Sequence, residues 1–290
     1  MFTAVMIAQP GALNPKSVET AHSKLVGGEI RVLSVGEACE FDVGRMPQEG
    51  DPCIWTALQK DQIDIAFVPT ENRRKRILLA DMDSTMIEQE CIDELADFAG
   101  HGDAVKAITV RAMNGEIAFE DALNERVALF AGMDASVINQ VIEERINFMS
   151  GGKTLLATMK ERGAYAALVS GGFTDFTAHV ADALGFDENR ANVLLQKNGK
   201  LTGKPGLPIL GQQAKVDALE EITARLGVSD QDVIAVGDGA NDLPMLNRAG
   251  LGVALHAKPS VQEQAKVRLN FADLTALLFL QGYTKSDFVS

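Results

Sequence analysis

Four short, nearly unbroken apolar runs constrain this chain more than any other feature: ILLA (77–80), AYAALV (164–169), DVIAV (232–236) and LGVAL (251–255). A strand with one wet face alternates apolar and polar residues. Continuous runs of this length belong to strands covered by helices on both faces, as in parallel sheets. Helical patterns fill the intervals. TDFTAHVADALG is closed by Gly185, and QQAKVDALEEITARLG by Gly227. In the second, Val216, Leu219, Ile222 and Leu226 form one apolar face. The pattern predicts an α/β protein with a doubly wound parallel-sheet core.

Such sheets bind ligands just beyond the carboxyl ends of their strands. After the first run comes DMDST, with Asp81 and Asp83; after the second comes SGGF, with Ser170 and Gly171. After the third comes GDGANDLPML, with Asp238, Asn241 and Asp242. Lys215 sits near the start of the helix between the second and third runs. Four carboxylates converging on one place cannot all stay ionised without compensation, which a divalent cation supplies. A hard, oxygen-only donor set with few protein ligands favours Mg²⁺. The Ser-Gly-Gly turn offers a hydroxyl and bare backbone N–H groups to an anion, and Lys215 offers a positive charge. Together these describe phosphoryl transfer. One aspartate can attack phosphorus, and its neighbour two residues on can give and take the proton.

Each fragment alone means little. DxDxT resembles the start of an EF-hand loop, but Met86 stands where that loop needs glycine. SGGKT at 150–154 imitates the end of a phosphate-binding P-loop, yet Asn147 occupies the place of its first glycine. The weight comes from all the fragments falling on strand ends in one order.

Some 70 residues between the first two runs, about 88–150, are helical throughout and predict a cap inserted into the core. In FEDALNERVALF, Phe119, Leu123, Val127 and Phe130 share a face, with Arg126 nearly below Phe119. Arg126 could snorkel along that stripe or pair with a carboxylate in a pocket. Glu88, Asp93, Glu94 and Asp97 read as a solvated face. Residues 1–72 read as βαββαβ, the split-βαβ, ferredoxin-like order, and ENRRKR (71–76) as a polar linker to the core at 73–290.

In order, DMDST, SGGF, Lys215 and GDGANDLPML resemble the four motifs of the haloacid-dehalogenase-like phosphatases. Over 75–285 the wording resembles the branch of that family acting on phosphoserine. The resemblance implies that Asp81 is the nucleophile and Asp83 the general acid and base, with Lys215 completing the catalytic set. It implies Mg²⁺ held by Asp81, the backbone carbonyl of Asp83 and Asp238, with Asp242 in support. Ser170, Gly171 and Asn241 would bind the phosphate end of the substrate. Arg126 would take the carboxylate of phosphoserine and Glu90 its amino group, with Met113 and Phe119 covering the site. Phosphoryl transfer to a second alcohol, or a binding protein without turnover, remain open. The N-terminal order resembles ACT-type modules, which leaves an effector site or a dimerisation surface. The need to cover a lone sheet favours association, with the core or with a second copy.

A net charge of −13 argues against nucleic acid and anionic membrane as partners. The three cysteines, Cys39, Cys53 and Cys91, form no CxxC pair, and MFTAVMIAQP lacks the basic start of a signal peptide. The expectation is a cytoplasmic protein.

Overall fold

The computed structural model describes residues 1–45 and 54–289; Cys53 and the start of PCIWTALQK lie outside them. The N-terminal elements are β1 (Phe2–Ile7), α1 (Pro15–Leu25), β2 (Arg31–Ser34), β3 (Ala38–Val43), α2 (Ile54–Lys60) and β4 (Asp64–Pro69). Their sheet is antiparallel in the order β2-β3-β1-β4, as the split-βαβ reading requires. Asn14 caps α1 by accepting the Ser17 N–H, and Pro15 follows at the first helical position.

The core begins with β5 (Ile77–Ala80). The cap follows as α3 (Cys91–Phe98), α4 (Gly102–Met113), α5 (Phe119–Ala128) and α6 (Ser136–Arg145). The chain returns through α7 (Gly152–Glu161), β6 (Tyr165–Phe173), α8 (Thr174–Leu184) and β7 (Glu188–Asn192). A hairpin, β8 (Leu194–Lys197) and β9 (Lys200–Pro205), leads to α9 (Gln212–Leu226). The remainder is β10 (Val233–Gly237), α10 (Leu243–Arg248), β11 (Leu251–Leu255), α11 (Pro259–Gln262), β12 (Val267–Leu269) and α12 (Ala276–Leu280).

Six strands form the parallel sheet in the order β12-β11-β10-β5-β6-β7. The chain winds one way from β5 to β7 and the other way from β10 to β12, so the switch point lies at the end of β5. Successive core residues face opposite helix layers. Leu78, Leu168 and Val236 pack with Leu155, Phe176 and Leu277, whereas Leu79, Val169 and Ala235 pack with Leu219, Ile222 and Leu246. Both faces are dry, which is why the strands read as continuous apolar runs. Leu226, expected on the buried face of α9, is 38% exposed because the helix ends there beside its Gly227 cap.

The apolar pattern does not reveal β7, β12 or the hairpin. β7 (ENRAN) and β12 (VRL) are edge strands, polar or short as edges tend to be. The hairpin did carry a signal in its Asn198-Gly199 turn.

The two chain segments entering the cap pair with each other at Ile87 and Phe148. The Glu88 N–H donates to Asn147 C=O at 3.0 Å, and Met149 N–H to Met86 C=O at 2.9 Å. Just beyond, Gly151 adopts φ +81° at the start of α7, and the Ser150 hydroxyl donates to Asp273 at 3.0 Å.

The face of the N-terminal sheet that needed cover is covered by the core itself. Val5, Ile7, Ala66 and Val68 join the cluster that holds Ala272, Ala276 and Phe279, while Ala4 and Met6 face α1 and α2. The basic linker is anchored rather than loose. Arg73 donates to the C=O groups of Phe279 and Leu280 at the carboxyl end of α12 and pairs with Glu40, and Arg74 lies over the Tyr283 ring. Asp64, fully buried, accepts the backbone N–H groups of Asn270, Phe271 and Ala272 at 2.8 to 3.0 Å. Burial pushes the Asp64 carboxyl above its usual range, and the three donors oppose that shift. Replacing Asp64 with Asn turns an NH₂ group toward at least one of these donors. The expected cost is about 1–3 kcal/mol of unfolding free energy by denaturant titration, with faster amide exchange at 270–272. An unchanged midpoint and unchanged exchange would remove Asp64 from the interface.

Candidate active site

Asp81 sits one residue past β5, and its N–H still donates to Val236 C=O at 3.0 Å, extending the β5–β10 ladder. The chain then turns tightly: the N–H groups of Thr85, Met86 and Ile87 all point at Met82 C=O, and Ser84 adopts φ +53°. That turn brings Asp83 back beside Asp81. Asp83 Oδ1 accepts the Cys91 N–H at 2.9 Å, at the start of the first cap helix, and Oδ2 accepts the Ser170 hydroxyl at 3.3 Å.

Asp81, Asp238 and Asp242 converge so that one oxygen of each lies within 4.8 Å of the others. The Asp83 side chain is outside that cluster. Lys215 lies beneath, 1% exposed, with Nζ 2.6 Å from Asp81 Oδ1 and 2.5 Å from Asp242 Oδ1. It does not line the cavity, so what it contacts is the carboxylate pair rather than open space above them. Asp242 is fully buried, its second oxygen accepting the Gly239 N–H at 2.9 Å.

Charges here are strongly coupled. Burial, then the charge of Asp242, pushes the Asp81 carboxyl well above its usual range. The same two causes raise Asp238 to about 6. Burial alone would lower the Lys215 ammonium, but Asp81 and Asp242 outweigh it and raise it instead. Glu90 reaches solvent only partly screened by protein, and desolvation followed by the charge of Asp83 raises it to about 7. One buried ammonium against this many acids leaves a surplus of negative charge on an oxygen-only donor set. That chemistry fits a divalent cation of the Mg²⁺ type.

A cavity of about 530 Å³ opens above these groups. It is lined by Asp81, Asp83, Asp238, Asn241, Ser170 and Gly171 from the core, and by Glu90, Met113, Phe119 and Arg126 from the cap. Residues 78–247 match the model of the haloacid dehalogenase-like hydrolases. The chain belongs to this family. A phosphoserine phosphatase of Archaeoglobus fulgidus is 44% identical over 217 residues, 74% of this chain and 63% of its own length, so the chain spans less than two thirds of that relative. The crystal structure of a probable phosphoserine phosphatase from Vibrio cholerae superposes on 99% of the chain and 88% of its own, with TM-score 0.81 and 32% identity. A phosphoserine phosphatase solved as a phospho-aspartyl intermediate analogue covers 71% of this chain and 98% of its own, with TM-score 0.66 and 39% identity.

On the cap side of the cavity the structure departs from the solvated-face reading at Asp93. Asp93, grouped with the solvated acids, is half-buried, and burial raises its carboxyl while nearby Arg126 lowers it. Glu94 pairs loosely with Arg145 at 3.9 Å. Phe119 leaves the apolar stripe of Leu123, Val127 and Phe130, which are buried, and is 37% exposed over the cavity. Arg126 faces the cavity instead of snorkelling, half-buried, with Nε donating to Ala122 C=O at 3.3 Å. His256, just past β11, hydrogen-bonds Ala272 C=O at 3.0 Å.

Lys258 and Ser260 also line the cavity and were not expected there. They lie just past the fourth apolar run, so the rule that located the other residues applies to them as well. The buried Asn192, at the end of β7, was missed because β7 itself was invisible.

Gly172 shows how closely the site is packed. A Cβ there would lie 2.8 Å from Asp83 Oδ2 and 3.1 Å from Ser170 Oγ. Gly172→Ala therefore displaces the Asp83 carboxyl, and kcat of the phosphomonoester turnover proposed below is expected to fall roughly 10- to 100-fold with little change in Tm. Wild-type kcat in the alanine variant would mean that the Asp83 position is not critical.

Proposed function

We propose that the chain hydrolyses O-phospho-L-serine to L-serine and phosphate through an aspartyl-phosphate on Asp81. The observation carrying this reading is the meeting, in one cavity, of the Asp81–Asp83 pair with an unpaired Arg126 and with Glu90. Among the described residues the Arg126 guanidinium has no ion pair, and its side chain bonds only Ala122 C=O. Burial lowers its pKa, with Asp93 and Glu90 opposing from nearby. A half-buried cation facing a cavity can be completed by a ligand carboxylate, for which the planar fork is suited. Glu90, whose Oε1 accepts the Ser84 hydroxyl at 2.8 Å, offers the complementary anion to an ammonium. The relatives named above support the same substrate class.

With Lys215 on Oδ1, the other oxygen of Asp81 is available to phosphorus. As the Asp81 O–P bond forms, the P–O bond to serine breaks, and Asp83 gives its proton to the leaving alkoxide. Asp83, now a carboxylate, takes a proton from the water that attacks phosphorus. Phosphate leaves and the Asp81 carboxylate is restored. The hydroxyl of Ser170, bonded to Asp83, keeps that carboxyl oriented through both transfers. Mg²⁺, held by Asp81, Asp238 and the Asp83 carbonyl with Asp242 behind, would offset the negative charge on the phosphoryl oxygens. Phe119 and Met113 line the cap side of the cavity, over the place where the substrate would lie.

The decisive experiment is a substrate panel. Phosphoserine should be turned over with Mg²⁺ and not after EDTA treatment. Phosphoethanolamine, lacking the carboxylate, should be poorer, and Arg126→Ala should raise KM for phosphoserine about 10- to 100-fold without doing so for phosphoethanolamine. Equal kcat/KM for both substrates in the wild type would sink the assignment.

Glu90 adds a pH signature. Its carboxyl is raised to about 7, so it loses its charge as pH falls through that value. Because kcat/KM reports groups of the free enzyme, its value for phosphoserine should drop below that pH, and the limb should vanish in Glu90→Gln. A limb that persists unchanged in Glu90→Gln belongs to another group.

A further inference from the structure

The Ser-Gly-Gly turn is a bulge in the sheet. β6 and β7 are in register at Val169 with Arg190 and again at Phe173 with Asn192, so four steps on β6 answer two on β7. Ser170, Gly171 and Gly172 therefore leave the ladder, as bulged residues beside active sites do. Their polar groups lose their ladder partners and must find others, Ser170 being 2% exposed and the two glycines only partly exposed. Gly172 N–H donates to Ser170 Oγ at 2.9 Å. Gly171 C=O accepts from Asn192 Nδ2, also at 2.9 Å.

Asn192 is the last residue of β7 and 2% exposed. Both ends of its amide are used elsewhere too: Nδ2 donates to Leu210 C=O at 3.2 Å, and Oδ1 accepts the Leu210 N–H at 2.7 Å. Leu210 precedes Gly211, the N-cap of α9, the helix that carries Lys215. One buried amide thus joins the turn of β6 to the start of the lysine helix. Phe119 rests over the joint, since a Cβ on Gly171 or Gly211 would lie 3.4 or 3.5 Å from its ring.

We propose that Asn192 is a positioning residue for phosphoryl transfer, fixing both the Gly171–Gly172 peptide of the phosphate turn and the start of α9. The proposal rests on the phosphomonoesterase reading given above. Two consecutive glycines have no side chain to hold the peptide between them and rotate easily. Rotation breaks the Gly172 bond to Ser170, and Ser170 is one of the two groups holding Asp83. Neither Asp nor Ser reproduces the geometry: Asp keeps the acceptor for Leu210 N–H but cannot donate to Gly171, and Ser is too short to reach both loops.

The test compares Asn192→Asp and Asn192→Ala with Thr177→Val. The last deletes another buried side-chain bond to the same strand, from Thr177 Oγ1 to Asn189 Oδ1 at 2.8 Å, away from the cavity. Each variant is measured for Tm, for kcat and KM on p-nitrophenyl phosphate and phosphoserine, and for affinity toward inorganic phosphate by calorimetry. Both Asn192 variants should lose roughly 10- to 100-fold in kcat and bind inorganic phosphate at least about tenfold more weakly. Thr177→Val should lower Tm while leaving kcat and phosphate affinity unchanged. Wild-type kcat and phosphate affinity in folded Asn192→Asp overturn the proposal. So do losses that merely track Tm to the extent seen in Thr177→Val. Should neither Asn192 variant fold, amide exchange in the wild type decides: a protected Gly172 N–H supports the held peptide, and an unprotected one refutes it. Inorganic phosphate and p-nitrophenyl phosphate probe the phosphoryl end without the amino-acid head group. Failure on phosphoserine alone therefore counts against the proposed substrate and not against Asn192.

Discussion

The ion triplet of Lys215 with Asp81 and Asp242 is the interaction on which the rest of the site depends. A buried ammonium is tolerable only because two carboxylates meet it, and two buried carboxylates are tolerable only because the ammonium lies between them. The triplet joins three separate pieces of chain: the end of β5, the turn after β10 and the first turns of α9. Removing Lys215 leaves two buried carboxylates facing each other with no cation between them. The position of α9 is therefore not a packing detail. It is fixed from one side by this charge pairing and from the other by the bond network of Asn192 with Leu210.

A second dependence runs through residues 270 to 275. Asp64 of the N-terminal domain holds the backbone of Asn270, Phe271 and Ala272, and the next residue, Asp273, accepts from Ser150 at the base of the cap. Leu274 N–H donates to Ser150 C=O at 3.1 Å. The N-terminal sheet and the returning cap connection are thus anchored on one short segment. The N-terminal sheet, which lines none of the cavity, is nonetheless physically continuous with the segment that anchors the returning cap connection.

The amount legible in the sequence differs sharply between elements. ILLA, LGVAL and the helices closed by Gly185 and Gly227 were readable because burial on both faces, or on one helical face, leaves a periodic mark. β7 and β12 left none, because an edge strand is partly wet and need not be apolar. The Asp81, Asp83, Asp238 and Asp242 set was readable for another reason: placing like charges next to buried strands is unfavourable unless something uses them, so the pattern stands out against its surroundings.

By itself the sequence determined the layer architecture, the inserted helical cap, the βαββαβ order of the N-terminal domain and the strand ends at which acids and the Ser-Gly-Gly turn would meet. These follow from local periodicity and from the rule that parallel sheets bind at their carboxyl ends. Only the tertiary structure decided which way Arg126 faces, that Lys215 lies under the carboxylates rather than in the cavity, and that the core itself covers the N-terminal sheet. Only there, too, does Asn192 meet Gly171 and Leu210. Each of these is a contact between residues far apart in the chain, set by how helices and loops pack. Periodicity carries one-dimensional information about burial, and it cannot encode which distant partner a buried polar group will find.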